Sequence, residues 1–186
     1  VSTSEHDGEL KPFASVTTKS ADKFVDVLLA YSDDARVFNP NIATVLTARM
    51  ASVNQMLEDS CAQFRYRVVH MLEASYAETG NFNTDLGCVY SWLDGCLDNL
   101  HTLRDTHGAD LISMTLYQNS QCGIAHTNPV GGYDSVKAVN VVAILCGADT
   151  IAHEFGHNMG LQHDRYEQGL DATEVSTNYA LINVHP

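Results

Sequence analysis

Between positions 153 and 164 the chain reads HEFGHNMGLQHD. On a helix, His153 and His157 lie one turn apart on the same face, so two imidazoles can reach one ion. Glu154 sits beside the first histidine, where its carboxylate can reach a water held by that ion without being a ligand. Gly160 lets the chain leave the helix by a left-handed turn, after which His163 can swing back as a third ligand. Three neutral nitrogen ligands with an open fourth position suit catalysis by zinc. The ion keeps its double charge, lowers the pKa of a bound water toward about 7 and can polarise a peptide carbonyl. Glu154 then acts as general base and passes the proton to the leaving amine. The chemistry is hydrolysis without a covalent enzyme intermediate.

A surface helix that merely contains histidines is the competing reading. Residues at frequencies of a few per cent each would fill the five positions by accident on the order of once in 10⁵ chains of this length. The other histidines, at 6, 70, 101, 107, 126 and 185, show no ligand spacing and are expected to be solvated or hydrogen-bonded. Met159, inside the motif, is expected to be a core side chain. Tyr90 and Trp92 are expected to be packing residues.

The surrounding sequence must supply elements that hold this motif. FVDVLLAYS (24–32) is a short apolar, β-branched run and reads as a buried strand. From Asn41 to Asp59, Ile42, Val45, Leu46, Met50, Val53, Met56 and Leu57 recur at three and four residues, the pattern of an amphipathic helix whose methionines face the core. FRYRVVHMLEASY (64–76) partly alternates and reads as a second strand. Leu93, Leu97, Leu100 and Leu103 or Arg104 mark a second helix, ended by His107 and Gly108. DLISMTLY (110–117), CGIAHT (122–127) and AVNVVAIL (138–145) are further strands, the last running through Cys146 and Gly147 into a helix that begins near Asp149. NYALINV, near the C-terminus, reads as a short strand. Strand and helix alternating in this way predict an α/β fold of three layers around a mixed, mostly parallel sheet, with an active-site helix. A single domain is expected over 1–186, with 1–22 as an extended lead-in.

Composition bounds the possible partners. Ten Lys and Arg against 23 Asp and Glu leave a net charge of −13. Such a field repels phosphate backbones and anionic lipid, so neither nucleic acid nor membrane is an expected partner. No apolar run approaches the roughly 20 residues that span a bilayer, and the start VSTSEHDGEL has no signal-peptide pattern. A soluble, already processed monomer is expected. Five cysteines, at 61, 88, 96, 122 and 146, point to disulfides and export rather than to buried reduced thiols.

The motif resembles the HExxHxxGxxH signature of the metzincin metallopeptidases, matched by His153, Glu154, His157, Gly160 and His163. Asp164, directly after the third histidine, is similar to the adamalysin or reprolysin branch, where that residue is structural. VDVLLAYSDDAR, LHTLRDTHGADLISM and QCGIAH look like the corresponding stretches of bacterial reprolysin-like enzymes, the peptidyl-Asp metallopeptidases among them. The resemblance runs from Phe24 to Tyr166. It implies a secreted zinc endopeptidase acting on proteins or peptides, with zinc on His153, His157 and His163 and Glu154 as base. It also implies that the CGIAHT strand is the sheet edge above the metal, so that Gly123, Ile124 and Ala125 could take an extended peptide by main-chain hydrogen bonds.

One departure stands out. Metzincins carry a methionine in a turn beneath the zinc, downstream of the third histidine, and residues 164–186 contain none. That part is read as short or truncated. Two rivals follow: an inactive zinc-binding protease-like module, and a fragment that needs a further segment. In the resembling enzymes the CGIA cysteine is tied to one shortly before the zinc helix, which implies a Cys122–Cys146 bond here. Of Cys61, Cys88 and Cys96, one must then stay unpaired or seek another chain. Cys88 and Cys96 could not join across one continuous helix, where eight steps of 1.5 Å separate the Cα atoms by about 12 Å. Gly87 and Gly95 permit a break, and the favoured arrangement bonds this pair, starts the helix after Trp92 and leaves Cys61 free.

Overall fold

A computed structural model describes residues 23–118, 120–129 and 133–163. The lead-in at 1–22, the NYALINV segment and Asp164 lie outside the described residues. The first strand, β1 (Phe24–Ser32), is followed at once by a short helix, α1 (Asp33–Phe38). The Ser32 hydroxyl accepts the Ala35 N–H at 3.0 Å, and Asp33 and Asp34 place negative charge in the first turn, as a helix N-terminus favours. Next come α2 (Ile42–Asp59), β2 (Arg65–Ala74), α3 (Phe82–Tyr90), α4 (Asp98–His107), β3 (Leu111–Leu116), β4 (Gly123–Ala125), β5 (Val139–Ala143) and α5 (Ala148–Asn158).

The strands form one sheet in the order β2-β1-β3-β5-β4. All neighbours pair in parallel except β4, which runs antiparallel to β5 at the edge. β3 and β5 are buried along their whole length, as parallel strands covered on both faces must be. Alternation along β1 divides the core in two. Val27 and Leu29 face a cluster with Leu46, Met50 and Val53 of α2 and Phe155 of α5. Leu28 and Ala30 face the other way, toward Phe82, Leu86 and Val89 of α3 and Leu100 of α4. The result is the expected three-layer α/β arrangement, with the motif helix packed on the sheet. One irregularity interrupts β2: Val27 pairs with Val68 and Leu28 with His70, so Val69 is bulged out of register.

Several local expectations are corrected. The helix marked by Leu93 to Arg104 begins only at Asp98. Leu93 and Leu97 hold φ of 70° and 59°, a left-handed backbone no α-helix can include, and the Asp98 carboxylate accepts the Leu93 and Gly95 N–H groups. α1 and α3 were not anticipated. CGIAHT shortens to three residues of strand. Met50 is buried, but Met56 is exposed, on the outer side of the same helix. Met159 is 46% exposed rather than a core side chain, because it caps α5 beyond the packed face, where its sulfur accepts the Tyr66 hydroxyl at 2.9 Å. Trp92 is half exposed and lies flat over the buried ring of His101, 5.6 Å between centroids.

Candidate active site

α5 buries Ile151, Glu154, Phe155 and Asn158 and leaves His153 and His157 on its accessible side. After Met159 the chain turns at Gly160, whose φ of 93° suits glycine, and a Cβ there would lie 3.2 Å from the Asn128 carbonyl. The turn brings back His163. The Nε2 atoms of His153 and His157 are 3.0 Å apart, those of His157 and His163 3.0 Å, and those of His153 and His163 3.1 Å.

These nitrogens fit a zinc ion. Tetrahedral zinc with bonds of about 2.0–2.1 Å spaces its ligand atoms roughly 3.3 Å apart, close to the triangle observed. The tautomer of one candidate ligand is fixed as well. His157 Nδ1 lies 2.8 Å from the Leu161 carbonyl, which can only accept, so Nδ1 carries the proton and Nε2 offers its lone pair. Burial and the two neighbouring imidazoles hold the His153 ring below the usual histidine pKa, which favours the neutral, ligating form.

Glu154 follows His153 in the chain but is not part of the triangle. It is 5% exposed, its Oε2 has no hydrogen-bond partner, and burial pushes its carboxyl up to about 7. A carboxylate kept dry and unpartnered is costly unless something charged or proton-donating meets it there. Its other flank is pressed on β4, where a Cβ at Gly123 would come within 2.7 Å of Oε1. β4 thus stands directly against the candidate base.

Among the described residues, β4 has a partner on one side only. The Ala143 N–H donates to the Cys122 carbonyl and the His126 N–H to that of Val139. In antiparallel alternation this turns the Ile124 main chain inward to β5 and leaves those of Gly123 and Ala125 on the open side. Of the three residues Gly123, Ile124 and Ala125, two therefore present backbone donors and acceptors on the side away from β5.

A disulfide joins Cys122, just before β4, to Cys146, just after β5. A second joins Cys88 to Cys96 across the loop between α3 and α4, while the Cys61 thiol is free and exposed. His126 lies under the Tyr90 ring, 4.4 Å between centroids. His101 is buried and its Nε2 donates to the Val89 carbonyl. His70 and His107 stack on one another at 3.9 Å. None of these joins the triangle.

The sequence reading missed a buried polar chain behind the site. The Asn158 amide nitrogen donates toward the carbonyls of His126 at 2.9 Å, Val139 at 2.9 Å and Lys137 at 3.2 Å. Its Oδ1 accepts from Asn140, whose own Oδ1 accepts from Ser113. Asn128 donates its side-chain amide to the Asn158 carbonyl and its backbone N–H to the His157 carbonyl. The only trace in the sequence is an asparagine on the apolar side of α5.

The similarity to known proteins follows the same residues. A family profile described as metallo-peptidase family M12B, reprolysin-like, matches residues 43–164. Two relatives are each named peptidyl-Asp metalloendopeptidase. That of Pseudomonas aeruginosa is 32% identical over 87% of this chain and 29% of its own, and that of Xanthomonas campestris pv. campestris is 30% identical over 82% and 35%. This chain thus spans about a third of the length of these relatives. A solved chain from a structure described as a chaperone–substrate complex matches with a TM-score of 0.65 at 19% identity, over 77% of this chain and 24% of the other, and speaks for the fold alone. With its metzincin-like sheet and the profile running through the three-histidine motif, this chain belongs to the reprolysin-like metallo-peptidase family M12B.

Proposed function

We propose that the chain is a zinc-dependent endopeptidase that hydrolyses peptide bonds of proteins outside the cell, as a monomer. The observation that carries this reading is a triangle of three histidine nitrogens 3.0–3.1 Å apart, on and just after a helix whose Glu154, next to His153 in the chain, is buried, unpartnered at Oε2 and packed against β4. His153, His157 and His163 would hold the ion, which would supply the positive charge to acidify a water and polarise a carbonyl. Gly123 and Ala125 bind the substrate backbone as an added strand and so orient the scissile bond beside Glu154. Glu154 takes the proton of the attacking water at Oε2 and delivers it to the leaving amine. Its buried setting limits access of bulk water and raises its basicity. Export is supported by two disulfides. No helix of the described residues is long and apolar enough to cross a membrane.

Relatives carry aspartate in their names, so an aspartyl peptide is the first substrate to try. The test is hydrolysis of such a peptide, and of a denatured protein, by the zinc-loaded chain with and without a chelator. Chelator-sensitive cleavage that disappears in Glu154→Ala, with zinc still bound, is expected. Peptide binding without cleavage by the zinc-loaded wild type would instead support an inactive binding module.

A further inference from the structure

We infer that Asn158 is a positioning residue that sets the distance and tilt between the zinc-binding helix and the β4 edge. This goes beyond the proposed hydrolysis but rests on it. The argument starts from how little holds β4. A three-residue strand with one neighbour among the described residues has a short ladder, and such edges open readily. Two devices hold it. The start is tied covalently by Cys122–Cys146. The end is tied by the Asn158 amide, which meets the His126 carbonyl of the β4 side and the Val139 carbonyl of the β5 side at 2.9 Å each.

Asn158 directly follows His157, so one residue couples a candidate ligand to the end of the candidate substrate edge. The coupling is reinforced from behind and from the front. Asn140, opposite Ala125 in the ladder, donates to Asn158 Oδ1 at 2.7 Å, and Ser113 fixes the Asn140 amide. Asn128, beyond the edge, closes the circuit on the Asn158 and His157 carbonyls. All four side chains are 3% exposed or less. An amide buried among three carbonyls has a fixed orientation, because no rotated or charged form satisfies them. Apolar packing would stabilise the same contact with less geometric precision.

The test is Asn158→Asp, which keeps Oδ1 for Asn140 and removes both N–H donors, with Asn128→Ala as a second variant that leaves the Asn158 amide intact. Three readouts are compared: KM and kcat on a peptide long enough to lie along β4, inhibition by acetohydroxamate, which needs the metal alone, and amide exchange of Ile124 and His126, whose N–H groups face β5, in the metal-free protein. The expected result is a peptide KM raised about tenfold in Asn158→Asp and less in Asn128→Ala, on the scale of one or two net hydrogen bonds. Amide exchange at β4 accelerates, while zinc content and acetohydroxamate inhibition stay within about twofold of wild type. Zinc loss in step with activity, or an unchanged KM with unchanged β4 exchange in either folded variant, overturns the inference. Should Asn158→Asp fail to fold, Asn128→Ala decides alone. Absence of any cleavage by wild type would strike the hydrolytic reading instead, and the exchange arm would still judge the positioning.

Discussion

Gly123→Ala probes the contact between edge strand and base with a single methyl group. The added Cβ would lie 2.7 Å from Glu154 Oε1, 2.8 Å from Cγ and 3.0 Å from Cδ. Carbon contacts are comfortable only from about 3.5 Å, so one partner must retreat by roughly 0.7 Å. Neither moves freely. Glu154 is 5% exposed on a helix anchored by fully buried Phe155, and β4 is tied at both ends by Cys122–Cys146 and Asn158. Displacing a catalytic group by close to an ångström costs about 10²-fold in rate, and overpacking costs about 1–3 kcal/mol of stability. The expected outcome is kcat on an aspartyl peptide lowered about 10²-fold with the full zinc complement. The measurements are steady-state kinetics, metal analysis and thermal unfolding. Gly87→Ala is the control: it lies in α3, nothing stands within 4 Å of its added Cβ, and it should keep full activity and gain about 0.5–1 kcal/mol. Near wild-type kcat in zinc-loaded Gly123→Ala would show that the Glu154 carboxylate does not act from its place against β4.

Further outcomes follow from the same geometry. Glu154→Gln should stabilise the metal-free protein at pH 8 and leave it unchanged near pH 4. Because burial raises the folded carboxyl from 4.5 to about 7, the folded state binds the extra proton and wild type loses stability as pH climbs through that window. The difference is at most about 3 kcal/mol, read from melting curves of both proteins against pH, and equal melting at pH 8 defeats it. His157→Ala should remove zinc and activity together, since two histidines make a poor site; retained stoichiometric zinc on equilibrium dialysis argues against the ligand assignment. Replacing Cys122 and Cys146 together by alanine opens a 24-residue loop and should cost about 3 kcal/mol in denaturant unfolding. Non-reducing peptide mapping that finds Cys122 in any other bond rejects the pairing outright.

What could be read in advance depended on how locally it is encoded. The histidine and glutamate spacing is written within one helix and one turn, so the sequence alone suffices for it. α2 was legible because Ile42, Leu46, Met50 and Val53 fall on one face, whereas Met56 shares the period yet sits outward, since apolar type does not tell which side of a wide stripe is covered. α3 escaped because its inner face includes Asp85, a charged residue no apolar template counts. It is buried only because Tyr76, Thr79 and Gln118 satisfy it from other segments. The Leu93 and Leu97 period suggested a helix, but the disulfide and the Asp98 carboxylate impose a left-handed loop over that local preference. Glu154 against Gly123 and the Asn158 circuit depend on tertiary contact alone, and no spacing in the chain announces them.

The two ends of the sheet also differ in what they invite. At the far end, ten-residue β2 has the length to recruit the same strand of another copy, the first step of runaway stacking. Its bulge at Val69 breaks the even row of donors and acceptors a newcomer would need, and exposed Arg67 and Glu73 place charge along that border. β4 lacks such gatekeepers but is only three residues long. That is too few to seed a fibre and enough to seat a short stretch of extended chain. Among the described residues, open hydrogen-bonding capacity is thus rationed by length at one border and by irregularity at the other.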